Sequence, residues 1–286
     1  MNASSSPALR AWRRFARSPS AWIGGGLVGL FVLIAVSAPW TAPYAPNHTA
    51  DEVAQPPSLA HWLGTDALRK DVLSRVMFGS RLSLLAGLTS ILLAVAIGAP
   101  LGAVAGYFGG RVDALVMRAI DVALAFPSIL IALLVAAAYR PSWSTVVIAV
   151  GLINVPLFAR QVRATVLTVA QLEYVLASRA FGATSWHILT REILPSLISP
   201  IVVLASLSLG TAILEVAGLS FLGIGGDPTA PEWGAMLAQA KDYWSKNAWF
   251  AIAPGAAISL TVLGFNLLGD GLRDALDPRS DASLLG

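Results

Sequence analysis

The residues able to do chemistry in this chain are few, and their spacing excludes most reactions. Binding ATP on a P-loop needs G-x-x-x-x-G-K-[ST], because backbone amides cradle the phosphates while the lysine reaches the terminal ones. The three lysines, Lys70, Lys241 and Lys246, follow Arg69, Ala240 and Ser245, so none completes that pattern. His48, His61 and His187 lie far apart and make a poor metal cluster, and cysteine is absent, which removes disulfides, thiolate metal sites and Cys nucleophiles. Neither H-E-x-x-H nor G-x-S-x-G occurs, and Gly223-Ile-Gly225 fails the dinucleotide fingerprint because position 228 is proline. No catalytic constellation remains, so the chain reads as non-catalytic.

What is left are polar groups inside apolar runs. Glu215 and Asn154 are the candidates for a translocation path or gate, since a buried acid in a membrane is costly and often functional. An edge salt bridge or hydrogen bond accounts for Glu215 equally well. Interhelical hydrogen bonds are the simpler account of Asn154 and of Asn266. Asp121, one turn from Arg118, reads as an i, i+3 pair.

The elements that must carry these residues follow from composition. Of 286 residues, 56 % are hydrophobic and only 12 % charged, about half the charged share of an average soluble domain. Mean hydropathy is +0.71, which leaves too little polar surface for a water-soluble globule. The isoelectric point near 9.5 reflects a net charge of only +3 on scattered arginines, with no basic patch for nucleic acid. A membrane helix needs about 20 mostly apolar residues. Six stretches qualify, at 21–40, 83–106, 117–138, 144–164, 197–217 and 250–269, and no alternating strand pattern appears. The expected fold is all-α: a polytopic membrane protein with six transmembrane helices.

Lys and Arg set the orientation. With the N-terminus inside, twelve arginines, among them Arg10, Arg13, Arg14, Arg17 and Arg279, flank the cytoplasmic side and seven basic residues the outer one. Both termini are then cytoplasmic. A cleaved signal peptide ending near Ser37 and Ala38 is the weaker reading, because Pro39 follows the cut and the apolar stretch is long for a signal core.

Residues 1–20 thus form an inner tail, 21–40 the first span and 41–82 an external segment. That segment is Pro-rich and then carries an amphipathic helix around Asp71 to Phe78. Residues 83–269 hold the core, with an outer loop at 218–249, and 270–286 form the C-terminal tail. In the outer loop Trp233, Tyr243, Trp244 and Trp249 fit an aromatic belt or a contact with a soluble partner. Gly98, Gly102 and Gly106 permit close helix approach, within the chain or to another subunit. Pro100, Pro127, Pro156 and Pro254 fall inside spans, where proline is common.

The inner connection between the fourth and fifth spans, 168–196, is the unusual one, since bundle helices are mostly joined by about 2–8 residues. Val169, Leu172 and Leu176 fall on one helical face. Gly182 can end that helix in the left-handed conformation, and Thr184 or Ser185 can cap a second helix running from Trp186 towards Pro195. A stiff helix, glycine turn and helix suit either a lever docked in a partner or a surface-lying pair that only closes the loop.

The stretch Tyr174-Val-Leu-Ala-Ser-Arg-Ala-Phe-Gly182, with Arg191-Glu-Ile-Leu-Pro195, resembles the EAA loop of ABC importer permeases. In that family the short helix sits in a cleft of the ATPase subunit. By position Ala177, Ser178, Gly182 and Pro195 match. Leu176 stands where the motif has glutamate, Glu173 lies three residues earlier, and Arg179 falls within the same helix. Gly64-Thr-Asp66 with Asp71-Val-Leu-Ser-Arg75 is similar to the external segment of dipeptide and oligopeptide permeases, except that Arg69-Lys70 replaces the family's Gly-Arg. Glu215-Val-Ala-Gly-Leu-Ser-Phe-Leu-Gly223 with Pro231-Glu-Trp-Gly234 resembles their fifth span and its loop. Phe265-Asn-Leu-Leu-Gly-Asp-Gly-Leu-Arg-Asp274 with Asp277-Pro-Arg279 resembles their C-terminal signature.

The resemblance is to C-type permease subunits of dipeptide/oligopeptide ABC importers, and it implies the type I importer (MetI-like) permease fold. It further implies a bacterial inner membrane, a second B-type permease subunit, two ATP-binding subunits and an external solute-binding protein. ATP and Mg would sit on those partners, with no cofactor on this chain. Di-/oligopeptides are the implied substrates, with nickel or glutathione as alternatives. A gradient-driven secondary transporter is the rival class, disfavoured by the scarcity of mid-span acids and the absence of an internal repeat.

Overall fold

The computed structural model describes residues 12–46 and 48–276, so Arg10, Arg279 and the Asp277-Pro-Arg279 stretch lie outside the described residues. The elements are α1 (Pro19–Thr41), α2 (Val72–Phe108), α3 (Gly110–Ala125), α4 (Ser128–Ala138), α5 (Trp143–Val169), α6 (Glu173–Ala180), α7 (Ser185–Phe221), α8 (Trp233–Ala240) and α9 (Trp249–Leu276). Helices α1, α2, α5, α7 and α9 are long and apolar enough to cross a membrane. The pair α3 and α4 makes a sixth span if taken together, but it bends by 93°.

That bend corrects the expectation of a continuous span over 117–138. Phe126 closes α3 in an extended conformation and Pro127 precedes α4. Proline disfavours helical geometry in the residue before it and has no N–H to continue the ladder. Pro100, Pro156 and Pro254 instead lie within uninterrupted helices.

Two further expectations are corrected. The helix around Asp71 to Phe78 is not separate; it is the start of α2. The Asp71 carboxylate accepts from the Ser74 amide at 2.8 Å and the Ser74 hydroxyl at 2.7 Å, capping one long helix. The second loop helix likewise does not stop near Pro195. It runs on into the fifth span through a π turn at Ile188–Ile193, where the Leu194 amide donates to the Leu189 carbonyl. Pro195 brings no N–H to the ladder and its ring crowds the carbonyl four residues back, and the wider turn just before it eases that contact.

The chain forms two compact units, and the division falls within α2, α5 and α7. The first draws on the ranges Met1–Leu88, Arg140–Val146 and Ser206–Gly286. Ser18 caps α1, accepting from the Ala21 amide at 3.4 Å, and Pro19 supplies the pre-set first turn. Helix α1 lies on α9 through small residues. A Cβ at Gly271 would come within 2.6 Å of Ala21, and one at Gly24 would overlap the α9 backbone at Leu268. Phe31, Ile213, Met236, Phe250 and Trp233 meet in the unit's core.

Trp233 answers neither sequence expectation. It is wholly buried, donates through Nε1 to the Val76 carbonyl at 3.0 Å, and meets Phe31 edge-on at 5.6 Å between ring centroids. Such ring pairs add about 0.5–1.5 kcal/mol beyond burial. Gly79 makes the space, since a Cβ there would stand 2.8 Å from the indole. Trp244 and Trp249 are exposed, which either a belt or a partner contact requires.

The second unit comprises Thr89–Tyr139 and Val147–Ala205. Here Gly98, Gly102 and Gly106 serve packing within the chain. A Cβ at Gly98 would lie 2.7 Å from the Val155 carbonyl, one at Gly106 2.9 Å from Val166, and one at Gly102 would overlap Ala159. Asp121 does not pair with Arg118; it binds Arg160 on α5 at 2.5 Å. Arg163 grips Asp113 with two nitrogens, the fork geometry natural to guanidinium and carboxylate.

Candidate functional site

Within the second unit, residues 168–196 form the expected helix, turn and helix. Helix α6 has eight residues and opens after Leu172 without a side-chain cap. Its end is built by backbone: the Phe181 amide donates to the Ala177 carbonyl at 2.9 Å and the Ala183 amide to the Ser178 carbonyl at 3.1 Å. Gly182 takes φ +82°, the left-handed conformation that the glycine allows. Thr184 then caps α7, its hydroxyl accepting from the His187 amide at 3.3 Å.

One side chain seats α6 on the unit. Val175 is fully buried among Val162, Val166, Ile188, Ile193 and Leu197. At the rim, the Tyr174 hydroxyl meets Ser196 at 3.5 Å and the Arg179 guanidinium stands 5.7 Å from the Tyr107 ring centre. Of the expected stripe, only Val169 points inward; Leu172 and Leu176 are about half exposed. Phe181 is 92 % and Trp186 75 % exposed, so that with Leu172 and Leu176 a row of large apolar side chains lies in the open along this short segment. Exposed apolar groups gathered this way mark interaction surfaces. Glu173, Ala177, Arg179, Gly182 and Pro195 are exposed as well, and Ser178 is half-buried.

In the first unit a second polar cluster joins distant parts of the chain. Gly64 is left-handed at φ +73°, and the Asn247 amide donates to the carbonyls of Leu63 and Thr65 at 3.0 and 3.1 Å. Asp66 pairs with Arg75, which also donates to the Ala230 carbonyl at 2.8 Å. Asp71 binds His61 Nδ1 at 3.0 Å while capping α2. Glu232 caps α8, accepting from the amides of Gly234 and Ala235 at 3.0 and 2.9 Å. Burial pushes its carboxyl above the usual range, against those amides and the hydroxyls of Ser220 and Ser83. The sequence pattern assigned none of these pairings, and those of Asn247 with Leu63 and Thr65 and of Arg75 with Ala230 join partners more than 150 residues apart. A cavity of about 610 Å³ lies in this unit, lined by Trp143, Val216, Gly226, Glu232, Gln239 and Asp242 among others.

The departure at Arg69-Lys70 has a local reading. Arg69 itself sits at φ +62°, where glycine is favoured. Of the two path candidates, Asn154 is buried on α5 and donates to the Val150 carbonyl one turn back at 2.9 Å, and Glu215 is half-buried on α7. Asn266 lies against Gly210 in the first unit.

The family described as "Binding-protein-dependent transport system inner membrane component" matches residues 98–281, and "N-terminal TM domain of oligopeptide transport permease C" matches residues 6–57. A glutathione transport system permease protein of Pectobacterium atrosepticum is 47 % identical over 94 % of this chain and 90 % of its own length. A dipeptide transport system permease protein of Alkalihalophilus pseudofirmus is 41 % identical over 96 % of this chain and 90 % of its own. A probable D,D-dipeptide transport system permease protein of Escherichia coli K12 is 42 % identical over 92 % and 89 % respectively. With apolar helices built to cross a membrane several times, the chain belongs to the family of binding-protein-dependent transport system inner membrane components.

Proposed function

We propose that the chain forms half of the translocation pathway of an ATP-driven importer of di-/oligopeptides, working by alternating access with a second permease subunit. The observation that carries this is α6: a short helix whose one buried side chain is Val175, with Leu172, Leu176, Phe181 and Trp186 exposed beside it. Such a surface is suited to a cleft in an ATPase, whose closure would push on α5 and α7. Two ATPase subunits would supply ATP and Mg, an external binding protein would deliver the solute, and this chain would hold no cofactor and catalyse nothing. Both termini would be cytoplasmic and the membrane the bacterial inner one, as the basic flanks favour.

Peptide is the substrate class that the relatives' names support, two being named for dipeptides and one for glutathione. Glutathione is itself a peptide and is the second reading, favoured by the 47 % identity to that permease. Gentle detergent extraction of the tagged chain, with mass spectrometry of what accompanies it, tests the assembly. A second permease and P-loop ATPases are expected, and an intact chain that comes alone would refute the proposal. Uptake of labelled dipeptide competed by glutathione in the same membranes separates the two substrates.

A further inference from the structure

On the first unit, Val32, Val36 and Trp40 of α1 and Leu84, Leu85 and Leu88 of α2 line a groove of about 470 Å³ whose one ionisable lining residue is Arg81. Arg81 stands where the sequence changes character: from Leu82 onwards no ionisable group occurs before Tyr107. It is exposed, and among the described residues it has no ion-pair or hydrogen-bond partner, whereas Arg75, Arg160 and Arg163 each hold a carboxylate. Trp40, 80 % exposed and next to the last residue of α1, sits at the same end of the groove.

Those features describe a receptor for an amphiphile. Tryptophan is enriched at the membrane–water interface, which sets the depth of this end of the groove. A guanidinium at that depth lies among the lipid headgroups and presents a fork that fits a phosphate with two hydrogen bonds. The apolar walls begin one turn further along α2, where Leu85 and Leu88, with Val32 and Val36 of α1, are exposed. We propose that the groove holds one acyl chain of an anionic phospholipid whose phosphate is bound by Arg81. Charge complementarity selects the occupant: one cation beside apolar walls matches an anionic phosphate and its acyl chain.

The test uses the assembled complex in nanodiscs of mixed phosphatidylglycerol and phosphatidylcholine, with native mass spectrometry of the lipid retained after extraction. Wild type is expected to retain phosphatidylglycerol preferentially. Arg81→Gln is expected to lower that retention about fivefold, the worth of one basic residue near an anionic surface. Arg81→Lys should keep part of the preference. Val36→Trp, at an exposed position, should lower retention of both lipids by filling the groove. Equal retention by wild type and Arg81→Gln would overturn the proposal. So would displacement of the lipid by inorganic phosphate alone, or cross-linking of Leu85→Cys to the second permease.

Discussion

Asp66 and Arg75 form an ion pair from which water is excluded, with side chains 0 % and 1 % exposed. The other Asp66 oxygen accepts from the amides of Leu68 and Lys70 at 2.7 and 2.8 Å, and the far side of Arg75 reaches the carbonyl of Ala230. One pair thereby ties a turn, the start of a long helix and a loop more than 150 residues away.

Removing one partner strands the other. Arg75→Met is expected to lower stability by about 3–5 kcal/mol, the usual cost of leaving a buried charge unpaired. Adding Asp66→Leu should recover part of it, and thermal unfolding in detergent compares the two. A loss no larger than that of a surface substitution would show that the pair holds nothing.

Arg69→Gly should stabilise the chain. The left-handed conformation costs an L-residue roughly 1–2 kcal/mol, and the unfolded-state freedom of glycine offsets about 0.4–1 kcal/mol of that relief. A rise in unfolding temperature is the expected reading.

Gly182→Trp should abolish transport while the chain stays in the membrane. The space around Gly182 is open, so the effect comes from the backbone at φ +82° and from blocked docking, not from a disturbed core. Leu176→Asp, at a half-exposed position, should shift stability by less than about 0.5 kcal/mol yet reduce recovery of the ATPases. Normal transport by Gly182→Trp would remove the coupling role.

Glu232 gives a pH dependence of known sign. Burial raises its carboxyl above 4.5, so the folded chain keeps a proton that the unfolded chain has already released. Stability from this group is therefore full below pH 4.5 and declines as pH rises through the folded value. Glu232→Gln should flatten that decline in unfolding temperatures measured across the range. An unchanged slope would assign the dependence elsewhere.

Glycines on α1 separate packing from composition. Gly24→Leu should overlap the α9 backbone and cost about 1–3 kcal/mol as an overpacked contact. Gly26→Ala meets nothing within 4 Å and should be neutral or better. Equal effects in unfolding experiments would contradict the observed packing of α1 on α9.

The spans were legible because a run such as Leu82 to Gly106 needs lipid whatever it packs against. Gly182 and Thr184 were legible because turn and cap chemistry is local. Which aromatic residue faces inward was not: Trp233, Trp244 and Trp249 all lie close together outside the long apolar runs, and nothing in the pattern marks Trp233 as core and the other two as exposed. Proline was ambiguous for a related reason, since Pro127 breaks a helix while Pro100 and Pro156 sit within theirs. Asp121 misled because its nearest cation in sequence, Arg118, is not its nearest in space.

The order of the chain also sets an order of birth. All segments of the second unit have been synthesised by Ala205, whereas the first unit needs Trp233 and Phe250, so its core stays open while the ribosome still holds the last two helices. At roughly 5–20 residues per second, α1 waits in the bilayer for many seconds before α9 exists to cover Gly24. Until then its glycine face is bare to lipid, and nascent chains halted before Trp249 should be the natural prey of membrane proteases.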